Sequence, residues 1–156
     1  MILGIDIGVQ GAIALLNEDG ALREIDDMPV LRDGPAGRRA INAPLLAKIV
    51  FDSHAVHAFV ESVGARPGEG AVGAFSFGRA RGVIEGVLAA AGIPVTFITP
   101  PSWKRAVGLT LASKDAARAE AIRRYPNHAG LFARVKDDGR AESALIAVAG
   151  LRLLAE

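Results

Sequence analysis

Three acidic positions stand where a solvated surface charge is the poorer explanation. Asp6 lies between Ile5 and Ile7 in an apolar run from Ile2 to Gly8. An ionised carboxylate inside a buried strand is costly unless it is paired or binds a metal. Glu61 closes Ala58-Phe59-Val60-Glu61, just before a glycine- and proline-rich stretch from Gly64 to Gly70. In open α/β sheets, functional groups gather at such strand ends, where the loops leave. Asp137-Asp138-Gly139-Arg140-Ala141-Glu142 opens the final helix. Asp138 and Glu142 are four apart and share a helix face, whereas Asp137 and Glu142 diverge by roughly 140° on ideal geometry. Spacing therefore favours Asp138, with Asp137 as its substitute. Favourable interaction with the helix dipole is a sufficient account of Asp137. It does not cover Glu142, which falls in the second turn beside Ala141, Ala144 and Leu145.

A cluster of carboxylates in a chain without cysteine selects a hard, oxygen-preferring ion, Mg²⁺ or Mn²⁺ rather than Zn²⁺. His54, His57 and His128 show no metal-ligand spacing and read as surface or strand histidines. Two such ions suit in-line displacement at phosphorus, one activating water and the other stabilising the leaving oxygen. The sequence holds no Gly-x-Ser-x-Gly nucleophile motif and no Gly-x-x-x-x-Gly-Lys phosphate loop.

The elements that must position these acids follow from apolar periodicity and turn residues. Ile2–Gly8, Ala12–Leu16 and Ala21–Asp26 read as a three-stranded antiparallel meander, since the connections are too short for a crossover. Asn42 caps a helix ending near Asp52, and His57–Ser62 is a fourth strand. Ala71–Ala91 is a long helix whose Gly73, Gly78, Gly82 and Gly86 suggest a face approached closely by a sheet or another helix. Phe75 and Phe77 within it read as core. Pro94–Thr99 is a fifth strand, Trp103–Val107 a short helical turn, and Ser113 caps a helix running to Tyr125. Ala141–Leu154 is the last helix. The expected architecture is α/β: a five-stranded mixed sheet, three antiparallel strands plus two parallel ones, flanked by helices. No repeat or linker divides the 156 residues, so a single domain is expected.

Composition narrows the classes further. The 51% apolar and 22% charged content is that of a soluble globular chain. The longest uncharged stretch, Gly86 to Lys104, is broken by prolines and cannot span a membrane. The opening residues lack a basic leader and carry Asp6 inside the apolar run, so no signal peptide is expected and a cytoplasmic address fits. The formal net charge is only +1, yet the bases are concentrated: Lys104, Arg105, Lys114, Arg118, Arg123 and Arg124, with Arg79 and Arg81 upstream. Acids in one cluster and bases elsewhere are compatible with binding a polyanion despite near neutrality.

At this point the residues resemble a known family. Gly4-Ile5-Asp6-Ile7-Gly8 followed by a strand, an acid ending the fourth strand, and a helix opening with acids are similar to the RuvC-type Holliday junction resolvases of the ribonuclease H-like superfamily. The likeness extends to Phe75-Ser76-Phe77-Gly78-Arg79, to Gly82-Val83-Ile84 and to Pro100-Pro101-Ser102-Trp103-Lys104-Arg105-Ala106-Val107-Gly108. It covers almost the whole chain. The resemblance implies a homodimer that nicks four-way or otherwise branched DNA. It implies two Mg²⁺ (or Mn²⁺) held by Asp6, Glu61, Asp138 and Glu142, with Lys104 and Lys114 near the scissile phosphate. Arg79, Lys104, Arg105, Lys114 and Arg118 are the expected DNA contacts. No nucleotide cofactor is implied. The chain departs from the family pattern at Gly139, where an acid three residues before the last ligand is usual, and at Glu142, where Asp is usual. It is also somewhat shorter than cellular members, and Gly139-Arg140-Ala141-Glu142 resembles phage or prophage versions.

Three other readings share parts of this pattern. A nuclease acting on flaps or RNA–DNA hybrids and a non-catalytic branched-DNA binding module would use the same fold. Gly4-Ile5-Asp6-Ile7-Gly8 also resembles the first phosphate motif of actin-like kinases, but those need two lobes, which this length does not hold.

Overall fold

The computed structural model describes residues 1–34, 37–65, 67–110, 113 and 115–155. Strands β1 (Ile2–Asp6), β2 (Ala12–Leu16) and β3 (Leu22–Asp27) form the antiparallel meander. Strands β6 (His57–Glu61) and β7 (Val95–Ile98) extend it in parallel, in the order β3-β2-β1-β6-β7. This is the mixed sheet expected from the sequence. Its centre is β1, paired antiparallel with β2 and parallel with β6.

The period of two along a strand decides what each face receives. Leu3, Ile5, Ala58 and Val60 pack with Leu46 and Val50 of α1 (Ala43–Asp52) and with Ala80, Ile84 and Leu88 of α2 (Ala71–Ala90). Ile2, Phe59 and Leu16 belong to the opposite core, with Leu145, Ile146 and Ala147 of α5 (Asp138–Leu154) and Trp103 of α3 (Pro100–Ala106). Asn42 caps α1 as expected, accepting from the Leu45 N–H at 3.2 Å. Helix α5 lies directly on β1. A Cβ built at Gly4 would sit 2.1 Å from the Ser143 carbonyl oxygen, so only glycine permits this approach.

Several boundaries differ from the sequence reading. A two-stranded hairpin, β4 (Val30–Arg32) with β5 (Arg39–Ile41), stands where a plain loop was expected. Three-residue strands carry too little periodicity to register as such. Helix α3 begins at Pro100 rather than Trp103, because proline is favoured in a first turn. Helix α4 spans Ala116–Arg124, with Asp115 rather than Ser113 at its N-cap. Short 3₁₀ segments occupy Pro126–Phe132 and Val135–Asp137, and α5 begins at Asp138, three residues earlier than expected. The close approach expected at the α2 glycines is absent within the described residues. Virtual Cβ atoms at Gly78, Gly82 and Gly86 meet nothing within 4 Å. Phe75 is not core: it is 74% exposed, while Phe77 packs against the core as expected.

Candidate active site

The β1–β6 register pairs Ile5 with Val60, so Asp6 and Glu61 follow as the next residues on adjacent strands. Strands lie roughly 4.8 Å apart, and alternation turns both residues toward the face that carries α5. Glu142 enters from the second turn of α5. The result is electrostatic crowding. Burial, then the charges of Glu142 and Glu61, hold the Asp6 carboxyl well above the usual carboxylate range. Glu142 is raised for the same reasons, burial first and Glu61 next, with Lys104 opposing and Asp138 adding. Three acids from three elements thus feel one another, which chain spacing alone could not show.

The cleft beside them has a volume of about 760 Å³ and is lined by Asp6, Glu142, Asp138, Lys104, Ser113 and the Gly8–Gly11 turn, among others. Gly139 also lines it, and here glycine is obligatory. A Cβ at that position would meet the Gln10 carbonyl oxygen at 2.5 Å and the Asp6 carboxylate at 3.2 Å. No side chain can therefore project from position 139 without displacing the β1–β2 turn. Lys104 reaches the cleft from α3, with Nζ 5.3 Å from the ring centroid of its neighbour Trp103.

Trp103 itself escaped the sequence reading as a functional residue. It is fully buried, and its indole Nε1–H donates to Glu61 Oε1 at 2.8 Å. The signal was present: it is the single tryptophan, immediately before a candidate catalytic lysine.

Among the described residues, no three His, Asp or Glu side chains are gathered around one point closely enough to hold an ion as they stand. The donor chemistry nevertheless fits a hard cation. It is all carboxylate oxygen, mutually repelling, and open to a polar cleft. Asp6, Glu61 and Glu142 would be the residues to hold a divalent ion if their side chains drew together, with Asp138 lining the same cleft as Asp6 and Glu142. Such an ion would relieve the like-charge repulsion that raises Asp6 and Glu142.

No protein-family model and no curated protein matches the sequence. Solved structures do. Thermus thermophilus RuvC is similar at 18% identity and a TM-score of 0.62, over 97% of this chain and 95% of that one. The same protein in complex with a Holliday junction substrate is similar at 16% identity and a TM-score of 0.62, over 97% of this chain and 94% of that one. The fowlpox virus Holliday junction resolvase follows at 16% identity and a TM-score of 0.53, over 98% of each chain. The chain has the RuvC fold.

On this RuvC fold the remaining candidates separate clearly. Asp137 is 1% exposed and committed elsewhere: it accepts from the Arg134 backbone N–H at 2.9 Å, from Nη2 at 2.9 Å and from Nε at 3.1 Å. Those hydrogen bonds to Arg134 hold its carboxyl below the usual range. Asp138 lines the cleft, and its Oδ1 accepts from Arg118 Nε at 2.7 Å.

Arg118, one of the expected DNA contacts, bridges Asp138 and Asp115 with a largely buried side chain. Other bases of this RuvC fold are likewise engaged: Arg79 with Asp33, Arg81 with Glu85, and Arg123 and Arg124 with Glu120. The two pairs exposed on both sides, Arg79–Asp33 and Arg81–Glu85, are worth only ~0–1 kcal/mol each. Lys104 and Arg105 form no ion pair at salt-bridge distance with the described residues. Lys114 lies outside the described residues. No helix among the described residues is long and apolar enough to cross a membrane.

Proposed function

We propose that this protein is a divalent-metal-dependent endodeoxyribonuclease that nicks Holliday junctions or other branched DNA. The observation that carries the reading is the gathering of Asp6, Glu142 and Lys104 on one cleft of a RuvC fold, with Glu61 close enough for its charge to act on both acids. Asp6, Glu61 and Glu142 would hold the metal, with Asp138 completing the acidic rim. Mg²⁺ or Mn²⁺, when bound, supplies Lewis-acid stabilisation of phosphoryl oxygens and lowers the pKa of its water.

The chain's own residues do the rest. Lys104 brings a positive charge to the cleft where negative charge develops on phosphorus oxygens, the role a preorganised cation fills best. Arg105 adds an exposed charge on the same helix, positioned to meet the sugar–phosphate backbone. Phe75, standing 74% exposed near the start of α2, offers a face for an unpaired base. The reading extends to a homodimer, which would place two nicking sites on opposite strands. The open glycine face of α2 (Gly78, Gly82, Gly86) is the surface best suited to close helix contact with a second copy.

A substrate panel tests the proposal: four-way junction, fork, flap, plain duplex and RNA–DNA hybrid, each in Mg²⁺ and in EDTA. The expected result is Mg²⁺-dependent nicking of the four-way junction well ahead of duplex. Preferential cleavage of hybrid or flap would move the assignment to another nuclease of this fold. Tight junction binding with no cleavage in either Mg²⁺ or Mn²⁺ would leave a binding module.

A further inference from the structure

A buried indole N–H can only donate, and it needs an acceptor. For Trp103 the acceptor is a side chain of the acidic cluster, Glu61 Oε1. We propose that Trp103 is a positioning residue for Glu61, holding one carboxylate oxygen so that the other is left for the cluster it forms with Asp6 and Glu142. The inference rests on the nuclease reading above.

The local fold explains why this hydrogen bond is placed so firmly. Strand β7 pairs with β6 so that Ile98 lies opposite Glu61. Thr99 follows as the N-cap of α3, and Pro100 and Pro101 fix the first helical dihedrals. Trp103 therefore stands one turn beyond the strand residue that registers Glu61. Its ring is locked in the core cluster with Ile98, Phe59 and Leu145, at no exposure. A glutamate carboxylate by contrast has three rotatable bonds, and the like charges of Asp6 and Glu142 repel it. Strand register sets the Glu61 Cα but not its oxygens; the indole N–H does.

The same ring also bears on the cation. Lys104 Nζ lies 5.3 Å from the Trp103 ring centroid, within cation–π range. One rigid aromatic thus touches both the Glu61 acid and the Lys104 charge. Residues that hydrogen-bond a metal's carboxylate ligand orient it, and their loss typically lowers metal affinity or activity about 10–100-fold.

Trp103→Phe keeps an aromatic ring and removes the donor. Junction cleavage is expected to fall about 10–100-fold, with a raised Mg²⁺ half-saturation and with KM for the junction little changed. A merely structural role would lower thermal stability without moving the Mg²⁺ requirement.

Because Trp103 is the only tryptophan, the wild-type protein carries a second readout that does not depend on the variant folding. Mg²⁺ alone, titrated without DNA, should shift the tryptophan emission saturably to the blue as the carboxylate at the pyrrole edge is neutralised. Glu61→Gln should abolish that shift.

Wild-type cleavage and Mg²⁺ dependence in a folded Trp103→Phe protein would overturn the proposal. So would emission that stays constant while calorimetry records Mg²⁺ binding. Calorimetry showing no Mg²⁺ uptake by the wild-type protein would instead sink the nuclease reading itself, and this inference with it.

Discussion

Asp6→Asn should make the protein inactive and at the same time more stable. The substitution preserves shape and removes a charge that burial, Glu142 and Glu61 all disfavour. No hydrogen bond to this carboxylate is present among the described residues. Partly desolvating a charged group that has no hydrogen-bond partner costs up to about 1–3 kcal/mol, and in a chain of this size each kcal/mol moves Tm by roughly 2–4 °C. Asp6→Asn in EDTA at pH 7.5 is therefore expected to raise Tm by about 2–12 °C. The gain has a defined pH dependence. The native carboxyl is raised, so the folded state keeps a proton that the unfolded chain releases. The penalty is thus absent at low pH and grows as the pH rises through the native value, and the variant's advantage should vanish near pH 4. Divalent metal should act in the opposite sense. Saturation at about a hundred times Kd stabilises a binding-competent protein by about 2.7 kcal/mol, so Mg²⁺ should raise the wild-type Tm and leave the variant unmoved. Circular dichroism melts with and without Mg²⁺, alongside nicking of a synthetic four-way junction, measure all three effects. A lower Tm for the variant in EDTA, or retained cleavage by a clean preparation, would refute the reasoning.

Asp137→Asn should show the reverse pattern, since this buried residue pins Arg134 by three hydrogen bonds. Loss of about 1–3 kcal/mol of stability is expected in a urea titration, with Mg²⁺ dependence of cleavage unchanged, and an altered Mg²⁺ requirement would restore Asp137 as a ligand. Gly4→Ala forces a methyl to 2.1 Å from the Ser143 carbonyl and should cost about 1–3 kcal/mol or more by overpacking; an unchanged urea midpoint would show that α5 does not bear on β1 so closely. Burial pushes the Tyr125 phenol up to about 12. The folded state therefore keeps this proton longer than the unfolded chain, and the stability it contributes is complete below pH 10 and lost as pH rises toward 12. Tyr125→Phe should flatten that decline, and a Tm–pH slope identical to wild type would contradict it.

The sequence by itself determined the sheet, its parallel and antiparallel halves and the candidate acids. Each of those is written in local signals: short apolar runs along Ile2–Asp6 and His57–Glu61, turns too short for a crossover, and the four-residue spacing of Asp138 and Glu142. Short elements such as the β4–β5 hairpin fell below that resolution because three residues hold no measurable period. Other matters were decided only by contacts of the folded chain, some within one or two turns and some between distant residues. The Arg134 hydrogen bonds withdraw Asp137 from the cleft, and the Arg118 ion pair engages Asp138. The approach of the β1–β2 turn makes Gly139 a position that can bear no ligand. In the basic stretch, helix spacing pairs Arg123 and Arg124 with Glu120, packing against α5 pairs Arg118 with Asp138, and Lys104 is left beside the acids. Spacing along a chain states which side chains share a face; which charge meets which is settled only when separate elements pack.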